Sequence, residues 1–440
     1  MLLVSKFGGS SLSSEIQFKK VKTIIEENGN RRAIVVSALG KRADEDNKIT
    51  DLLYLLHAHI THGVSYDSLW ETIEQRFLIV KKELNLTIPI ESYLAELKEQ
   101  LNQSNLCVDY LVSRGEYFTA LLMSEYLDYQ FIDAKDVIRF YPNGTVDLET
   151  TRQRLLEKLP KDFKFIIPGF YGAYPNGHIK LLSRGGSDIT GSIISYCLKA
   201  TKYENWTDVS GILIADPRII PNPIAISRLS YEELSELSYM GANVLHEETI
   251  YPVRKLNIPI HIKNTNEPHA EGTLICESYE GENELVTGIA GVKDYVSITI
   301  YKNHMSTEVG FLRKTMEIFE RFQINIEHVP TGIDNVGVIV SGKSVHKCLY
   351  DLVETLKVEL NADEVIIKDN LSLITVVGHK KLGNIKVTST IFKALALEAI
   401  DISLIAQSPR ELNVVIGVRN DDFVRAIQTL YKELVECCLN

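Results

Sequence analysis

The strongest constraint on the fold is an alternation of short apolar runs with helical patterns over about the first 280 residues of the chain. Leu2–Phe7 precedes a helical pattern at Ser13–Glu27, and Ala33–Ser37 precedes another that begins at about Ile49. Strands that alternate with helices are typical of a sheet covered by helices on both faces. Residues 1–285 are therefore predicted to form an α/β domain.

The other elements of this domain follow the same pattern. Further strands are predicted at Phe131–Ala134, Phe163–Pro168, Ile179–Leu182 and Ile258–Ile262, and helices at Gly115–Leu127, Asp188–Leu198 and Tyr231–Met240. Residues 64–105 are rich in Glu, Lys and Leu, which predicts a mostly helical insertion between sheet elements. Such an insertion is expected to form part of the cover over a substrate.

After about residue 285 the pattern changes, and two weakly similar copies follow each other. Each copy has a helix, two short strands and a further helix; the first contains Glu308–Phe322, Ile324–Glu327 and Val336–Val340, and the second contains Ile385–Glu398, Ile400–Ser403 and Leu412–Val418. This order is a β-α-β-β-α-β pattern used twice. Residues 286–370 and 371–440 are therefore predicted to be two regulatory regions that sense a ligand, with a ligand-free dimerisation unit as the alternative.

The charge balance argues against a nucleic-acid or membrane partner. The formal net charge is −11, from 47 basic and 58 acidic residues, and no long run of one sign is present. The N-terminus has no basic leader, and no apolar segment approaches the roughly 20 residues of a membrane span. Six cysteines lack zinc-type spacing, so we expect a cytoplasmic protein with reduced thiols and no metal site of its own.

The most informative motif is Lys6-Phe7-Gly8-Gly9-Ser10-Ser11, which follows a predicted strand and precedes a predicted helix. Adjacent glycines let backbone N–H groups approach phosphate oxygens, and a helix N-terminus adds partial positive charge. Lys6 would place an ammonium on a transferring phosphoryl group. The same residues also fit a simple turn between strand and helix, so the motif alone does not decide.

Two further segments carry charged residues at tight turns. Ser183-Arg184-Gly185-Gly186-Ser187-Asp188 opens a helix that Ser187 or Asp188 would cap, but a cap does not require Arg184, whose planar fork suits a carboxylate. The segment from Asn205 to Arg218 has two carboxylates and an arginine, which suit ribose, metal or phosphate contacts but also an ordinary turn.

Taken together, these segments resemble the aspartate kinase branch of the amino-acid kinase family. The similar motifs are Lys-Phe-Gly-Gly-Ser-Ser, Ser113-Arg114-Gly115-Glu116, Arg-Gly-Gly-Ser-Asp, Trp-Thr-Asp-Val-x-Gly-Ile with Ala-Asp-Pro-Arg, and Gly241-Ala242-Asn243-Val244-Leu245-His246. The resemblance extends over nearly the whole chain. It implies a three-layer α/β/α sandwich of the amino-acid-kinase type, followed by two ferredoxin-like ACT domains.

The resemblance implies a role for each matching residue on the phosphoryl side. Lys6 would stabilise the transferring phosphoryl group, with Gly8, Gly9 and Ser10 around the phosphates. Asp188 would orient Lys6, and no general base is needed because the attacking carboxylate is already ionised near neutral pH. Thr207, Asp208 and Arg218 would complete the nucleotide side.

The substrate side follows from the same resemblance. Arg184 would bind the α-carboxylate, Glu116 the α-ammonium, and Ser37 and Thr50 would lie near the reacting carboxylate. The implied reaction is ATP-dependent phosphorylation of the β-carboxylate of L-aspartate, with Mg²⁺ on the nucleotide. A kinase of a different amino acid and a catalytically inactive amino-acid sensor are the alternatives.

Two positions depart from the pattern of many family members. Asn243 stands where many members have lysine, and Leu213 stands where many have an aromatic residue. These departures put phosphate and adenine contacts at both positions in doubt. We interpret them as variation in nucleotide binding, because the other motif residues are present.

The resemblance also implies an effector site in the tail, with lysine as the first candidate ligand and threonine as the second. In paired ACT domains an amino acid binds between a helix N-terminus and a strand of the partner repeat. The expected effector shell is Met305, Glu308, Gly310, Asn325, Ile326, Glu327 and Thr331. A homodimer or homotetramer formed through these domains is expected.

Two weaker signals are interpreted as structural. Gly337–Ser344 fits the letters of a P-loop, but the predicted strand occupies the interval between its glycines, so we predict a strand end followed by a helix start. His57, His59 and His62 lie close together without a carboxylate or cysteine pattern, which favours a solvated or lid-facing cluster over a metal site.

Overall fold

The structure is a computed structural model that describes residues 1–101, 106–183, 185–241, 245, 247–279, 286–378, 385–407 and 412–437. Arg184 and Asn243, both singled out by the sequence, lie outside the described residues. The chain forms two compact units. The first comprises Met1–Ile212, Ala225–Tyr231 and Asn243–Tyr279, and the second comprises Leu213–Ile224, Glu232–Ala242 and Glu280–Asn440.

The described residues form strands and helices in alternation. The strands are β1 (Leu3–Phe7), β2 (Arg31–Val36), β3 (Gln130–Phe131), β4 (Phe165–Pro168), β5 (Tyr171–Ala173), β6 (Ile179–Leu181), β7 (Lys202–Thr207), β8 (Ile212–Leu213), β9 (Ala225–Ile226), β10 (Arg228–Ser230), β11 (Ile260–Asn264), β12 (Thr273–Cys276), β13 (Gly288–Tyr301), β14 (Ile326–His328), β15 (Asn335–Ser341), β16 (Glu364–Val377), β17 (Leu404–Gln407) and β18 (Asn413–Arg419). The helices are α1 (Glu15–Glu26), α2 (Ile49–Thr61), α3 (Asp67–Glu83), α4 (Ile90–Gln100), α5 (Val108–Leu127), α6 (Ala134–Val137), α7 (Leu148–Lys158), α8 (Gly186–Leu198), α9 (Tyr231–Tyr239), α10 (Glu247–Arg254), α11 (Phe311–Arg321), α12 (Gly342–Val345), α13 (Leu349–Glu359), α14 (Ile385–Leu397) and α15 (Phe423–Tyr431).

The first unit is built on an eight-stranded sheet with the order β10-β12-β11-β7-β1-β2-β4-β3. Strands β3, β4, β2, β1, β7 and β11 are parallel, and β12 runs antiparallel to β11. All five residues of β1 are buried. Because side chains alternate between the faces of a strand, both faces of the sheet are covered at its centre, and the predicted α/β fold class is confirmed.

Several predicted elements have different limits in the structure. The predicted strand at Phe131–Ala134 ends at Phe131, because Asp133 accepts a hydrogen bond from the Lys135 N–H and caps α6. The predicted helix at Gly115–Leu127 already begins at Val108. Within residues 64–105, the structure has helices α3 and α4.

The second unit contains a six-stranded antiparallel sheet with the order β14-β15-β13-β16-β18-β17. Its two central strands are long because each serves both repeats. In β13, Tyr295–Tyr301 pairs with β15, whereas residues 288–292 pair with residues 373–377 of β16. Strand pairing therefore crosses between the two repeats, and the boundary predicted at residues 370 and 371 stays a prediction.

The helices and strands of the repeats also differ in detail from the expected limits. The first helix begins at Phe311 and not at Glu308, because Gly310 has a φ of 85° and Glu308 forms ion pairs with Lys302 and Lys314. The strand predicted at Ile400–Ser403 lies at Leu404–Gln407. Ile400 instead closes helix α14, because its N–H donates to the Leu395 carbonyl.

Two predictions about sequence patterns are tested directly. The P-loop-like segment is a strand that ends at Ser341 followed by helix α12, which confirms the interpretation as a strand end and a helix start. In the described parts of the chain, no helix is long and apolar enough to cross a membrane.

Candidate active site

A cleft of about 990 Å³ lies in the first unit, next to the ends of strands β1, β2 and β7. The carboxyl ends of neighbouring parallel strands are the usual place for a ligand site in such sheets. Ten residues predicted from the sequence line this cleft: Lys6, Gly8, Gly9, Ser10, Ser37, Thr50, Glu116, Asp188, Thr207 and Asp208. The fold thus brings together segments that are far apart in the sequence.

The centre of the cleft is an ion pair between Lys6 and Asp188. Lys6 Nζ lies 2.5 Å from Asp188 Oδ1, and both side chains are largely buried. Lys6 Nζ also donates to Asn205 Oδ1 at 3.3 Å, and Asn205 Nδ2 donates to Asp188 Oδ1 at 2.9 Å. An ammonium has three donors, so two are occupied and one remains for an incoming anion.

The register of the central strands explains why these groups meet. Lys6 on β1 pairs with Asn205 on β7, so both side chains point to the same face of the sheet. On the opposite face, the Glu204 carboxylate accepts hydrogen bonds from Ser5 at 2.9 Å and from Trp206 at 3.0 Å. It also accepts two from the Arg31 guanidinium, from Nε at 2.8 Å and from Nη2 at 3.2 Å. Although burial raises the pKa of Glu204, these hydrogen bonds and the charge of Arg31 lower it overall.

Asp188 does not cap helix α8. The helix begins after Gly185, which has a φ of 79°, and no side chain caps its first turn. A positive φ strains residues with a side chain, so glycine suits this position. The expectation that Ser187 or Asp188 caps the helix is therefore wrong, and the Asp188 carboxylate faces Lys6 and Asn205 instead.

The first glycine turn, formed by Gly8 and Gly9 after β1, keeps the backbone close to the Lys6 ammonium. The Gly8 N–H donates to the Trp206 carbonyl at 2.9 Å, so Gly8 fixes the turn and has no N–H to offer a phosphate. A Cβ at Gly8 would lie 3.4 Å from Lys6 Nζ. A side chain at this position would therefore contact the Lys6 ammonium.

Glu116 carries a buried carboxylate on helix α5. Its side chain accepts the Ala38 N–H, but its Oε2 atom has no hydrogen-bond partner among the described residues. Burial raises the pKa of Glu116 to about 8, while the hydrogen bonds to backbone N–H groups and the charge of Arg114 lower it less. An unpaired carboxylate that lines a cleft is suited to an ammonium ligand.

Comparisons with known proteins show the family of this chain. Residues 1–264 match the family model described as amino acid kinase family, and residues 374–434 match the model described as ACT domain. Aspartokinase 3 of Bacillus subtilis is 36% identical over 98% of both chains. The chain belongs to the aspartokinase branch of the amino acid kinase family.

Solved structures of aspartokinases have the same fold. The crystal structure of Clostridium acetobutylicum aspartate kinase superposes with a TM-score of 0.89 at 43% identity, over 99% of both chains. Escherichia coli aspartokinase III in complex with aspartate and ADP gives a TM-score of 0.78 at 25% identity, over 99% of this chain and 100% of the other. The same enzyme with lysine and aspartate gives 0.74 at 25% identity, over 99% of both chains.

The aspartokinase motif Ser113-Arg114-Gly115-Glu116 divides its side chains between cleft and core. Arg114 is buried, and its guanidinium lies 4.6 Å from the Tyr110 ring and 4.3 Å from the Tyr117 ring. These contacts make Arg114 a core residue that holds helix α5, with Glu116 facing the cleft. Gly115 lets the helix approach the strand end, because a Cβ there would lie 2.9 Å from the Ala38 Cβ.

The other residues expected to bind nucleotide or substrate lie at the edge of the cleft, in the second unit or outside the described residues. Thr207 Oγ1 donates to Asp208 Oδ1 at 3.0 Å at the edge of the cleft. Arg218 belongs to the second unit, where it pairs with Asp216 at 2.6 Å and is 84% exposed, so its assignment to the nucleotide stays a prediction. Leu213 also belongs to the second unit. The role of Arg184 falls outside the described residues.

Sequence reasoning missed part of the cleft lining. Lys41, Arg42 and Lys48 lie in the loop between β2 and α2 and line the cleft or its rim. The signal was available, because three cations stand between Ser37 and Thr50, two residues already assigned to the substrate. Asn205 was also missed, since its role depends on the pairing of β1 with β7.

The residues expected to bind an effector lie at two ends of one helix in the second unit. Met305, Glu308 and Gly310 precede α11, whereas Asn325 and Ile326 follow soon after its C-terminal end. Glu327 accepts a hydrogen bond from Tyr239, and Thr331 pairs with Val336 at the base of the first repeat. The predicted effector shell therefore stays a prediction.

No metal site formed by the protein alone is present among the described residues, since no group of three His, Cys, Asp or Glu side chains could hold an ion. Magnesium commonly binds through one or two carboxylates together with nucleotide phosphates. The cleft fits this mode, because Asp208 places an exposed carboxylate near the glycine turn.

Proposed function

We propose that this chain transfers the γ-phosphoryl group of ATP to the β-carboxylate of L-aspartate. The observation that carries the proposal is the arrangement of Lys6, Asp188 and Asn205 beside a glycine turn, in the same cleft as the unpaired Glu116 carboxylate. A volume of about 990 Å³ matches the upper part of the range of small-molecule sites, about 300–1,000 Å³.

Each part of the cleft then has a distinct task. Lys6 would offer its remaining N–H donor to the transferring phosphoryl group, where developing charge is stabilised most effectively. Asp188 and Asn205 would hold that ammonium in place. Asp208 would hold Mg²⁺ together with the nucleotide phosphates, and the ion would neutralise phosphate charge.

The acceptor side needs positioning and not proton abstraction. The side-chain carboxylate of aspartate is ionised at neutral pH and is already a nucleophile. Glu116 would bind the α-ammonium, and Arg184 the α-carboxylate, so that the second carboxylate points toward Ser37 and Thr50. Holding both reactants in this geometry would supply much of the rate enhancement.

A direct assay tests this proposal. The purified chain is incubated with ATP, Mg²⁺ and each of a panel of amino acids, and ADP and acyl phosphate, trapped with hydroxylamine, are measured. We expect turnover with L-aspartate and a much lower rate with glutamate. Turnover with a different amino acid would replace the substrate assignment, and no turnover with any of them would favour the inactive sensor.

Regulation by lysine or threonine is the second part of the proposal. Its support is the ACT domain matched at residues 374–434 and the six-stranded sheet of the second unit, together with the lysine complex of the Escherichia coli relative. The amino acid would bind in the shell that includes Met305, Gly310 and Asn325, with contributions from two repeats in a homodimer or homotetramer. An effector that prefers one arrangement of the repeats would shift the population of active enzyme.

Calorimetric titration and inhibition assays test the regulatory part. Lysine and threonine are titrated into the intact chain and into the Asn325→Ala variant, whose side chain is exposed. Lys347→Ala, at an exposed position of the same repeat, is the control. We expect weaker binding only in Asn325→Ala. If no common amino acid binds or changes activity in the wild type, the tail serves assembly alone.

A further inference from the structure

Arg76 is a buried arginine on helix α3, outside the cleft lining, and its side chain is 3% exposed. A buried guanidinium requires acceptors for its donors, because an unpaired buried charge is costly. Among the described residues, every acceptor that Arg76 contacts belongs to one segment, Gly40–Asn47. Nη1 donates to Asp46 Oδ2 at 2.9 Å and to the Asn47 carbonyl at 3.2 Å, and Nη2 donates to the Gly40 carbonyl at 2.5 Å.

The segment held by Arg76 is the loop that covers part of the cleft. Residues 39–48, called here the 39–48 loop, connect β2 with α2 and supply Lys41, Arg42 and Lys48 to the cleft lining or rim. Asp46 Oδ2 also accepts two hydrogen bonds from Arg42, one from the backbone N–H at 3.1 Å and one from Nε at 2.8 Å. The hydrogen bonds from Arg42 lower the pKa of Asp46, so this carboxylate stays ionised between two arginines.

Gly40 links this loop to the glycine turn. Its N–H donates to the Gly9 carbonyl at 2.9 Å, and a Cβ at Gly40 would lie 2.3 Å from the Gly9 backbone and 2.7 Å from Ser10 N. Position 40 therefore has no room for a side chain, and the loop and the turn are in direct backbone contact at this point. Arg76, Gly40 and Gly9 therefore form a chain of two hydrogen bonds from helix α3 to the turn beside Lys6.

We infer that Arg76 is a positioning residue for phosphoryl transfer, which fixes the 39–48 loop and, through Gly40, the glycine turn that receives the nucleotide phosphates. The inference rests on the proposed function and assigns a role to helix α3 of the insertion. Arg76 touches no substrate, so its loss acts through the placement of other groups. A small misplacement of reacting groups costs on the order of a hundredfold in rate.

Three variants and a control test this role. Arg76→Gln removes the charge and the fork, Arg76→Lys keeps the charge with a single donor group, and Asp46→Asn weakens the same contact from the loop side. The control is Phe77→Leu, which disturbs the adjacent buried position of α3, where the Phe77 ring packs on Phe118 and has no group that could donate a hydrogen bond to the loop. All proteins are compared by thermal midpoint, kcat, and KM for ATP and aspartate.

We expect Arg76→Gln to lower kcat/KM for ATP by about tenfold to a hundredfold. Arg76→Lys should recover part of this loss, Asp46→Asn should show a smaller loss, and Phe77→Leu should stay within about twofold of wild type despite a lowered thermal midpoint. If the Arg76 variants and Phe77→Leu show the same kinetic constants at equal loss of stability, Arg76 is only a core residue and the inference is wrong. If Arg76→Gln does not fold, Arg76→Lys and Asp46→Asn decide by the same comparison.

A second readout does not depend on the substrate. Amide hydrogen exchange of the unliganded protein should be faster in residues 39–48 of Arg76→Gln than in the same residues of Phe77→Leu. Equal exchange in the loop would overturn the inference even if wild-type enzyme phosphorylates aspartate. Faster exchange in an enzyme that does not use aspartate would support the positioning role and leave only the proposed substrate in error.

Discussion

The protonation of Glu116 predicts how the use of aspartate depends on pH. The unliganded site holds this carboxyl with a pKa of about 8, because it is buried and one oxygen lacks a partner. Only the ionised form binds an ammonium well. For a single group with this pKa, the ionised fraction rises about fiftyfold between pH 6 and pH 8. At saturating MgATP, kcat/KM for aspartate should rise by a similar factor between pH 6 and pH 8, because this parameter reports the ionisation of the free enzyme and the α-ammonium of aspartate stays protonated over this range.

The variant Glu116→Gln separates this effect from other ionisations. Glutamine keeps the size of the side chain but has no charge, so kcat/KM for aspartate should be low and nearly independent of pH. ATP ionises identically in both assays, and no histidine is among the described residues that line the cleft. If the profile of the wild type runs parallel to that of Glu116→Gln between pH 6 and pH 8, Glu116 does not bind the ammonium in its ionised form.

The same pKa predicts a change of stability. In the unfolded chain Glu116 ionises near its ordinary pKa of about 4.5, whereas in the unliganded folded protein it stays protonated up to about pH 8. Between these values the folded state binds more protons, so the free energy of unfolding should fall as pH rises. The difference between wild type and Glu116→Gln, measured by denaturant unfolding at pH 5 and pH 8, isolates this contribution. An equal difference at both pH values would contradict the raised pKa.

Three further substitutions divide the cleft. Lys6→Ala should lower kcat by about 10²–10³ in a folded protein, because a transition-state charge donor is lost; near-normal turnover at saturating substrates would refute the role of Lys6. Asn205→Ala should lower kcat less than Lys6→Ala with the aspartate KM little changed, and a defect confined to aspartate binding would contradict its placement beside Lys6. Arg184→Lys should raise the aspartate KM far more than the ATP KM, since an ammonium cannot reproduce the bidentate fork; a defect wholly in the ATP KM would move Arg184 to the nucleotide side.

The fold class was accessible from the sequence because its main signals are local. The apolar run Ala33–Val36 is short and uninterrupted, as expected for a strand buried on both faces. The errors concern element ends, where a few contacts decide. Asp133 ends a strand by capping α6, and Gly310 delays the start of α11 with a positive φ. The shared central strands of the second unit were not predicted, since strand pairing between repeats leaves no periodic signal in either repeat.

The candidate site was predictable where motif residues point directly into the cleft, as Lys6 and Glu116 do. It was not predictable where a residue acts through another. Asn205 depends on the register of β1 with β7, and Arg76 lies on a helix whose sequence reads as an ordinary amphipathic insertion. A single buried arginine among lysines and glutamates on α3 looks like part of a solvated face until its acceptors are known.

The arrangement around Lys6 explains why such supporting residues matter. In the unliganded cleft the ammonium is already neutralised by Asp188 at 2.5 Å, so its attraction for a phosphate is reduced before any ligand arrives. The use of Lys6 in phosphoryl transfer therefore depends on where its third N–H points. Asp188 and Asn205 occupy the other two N–H donors and so determine the direction of the third. A preorganised donor contributes most when it need not reorient during the reaction. In the proposed mechanism the glycine turn would fix where the phosphates lie relative to that donor. The turn is in hydrogen-bond contact with Gly40 and, through it, with Arg76. Lys6 is thus held by Asp188 of a motif together with Asn205, whereas the turn is held by Gly40 and Arg76, which lie outside the motifs.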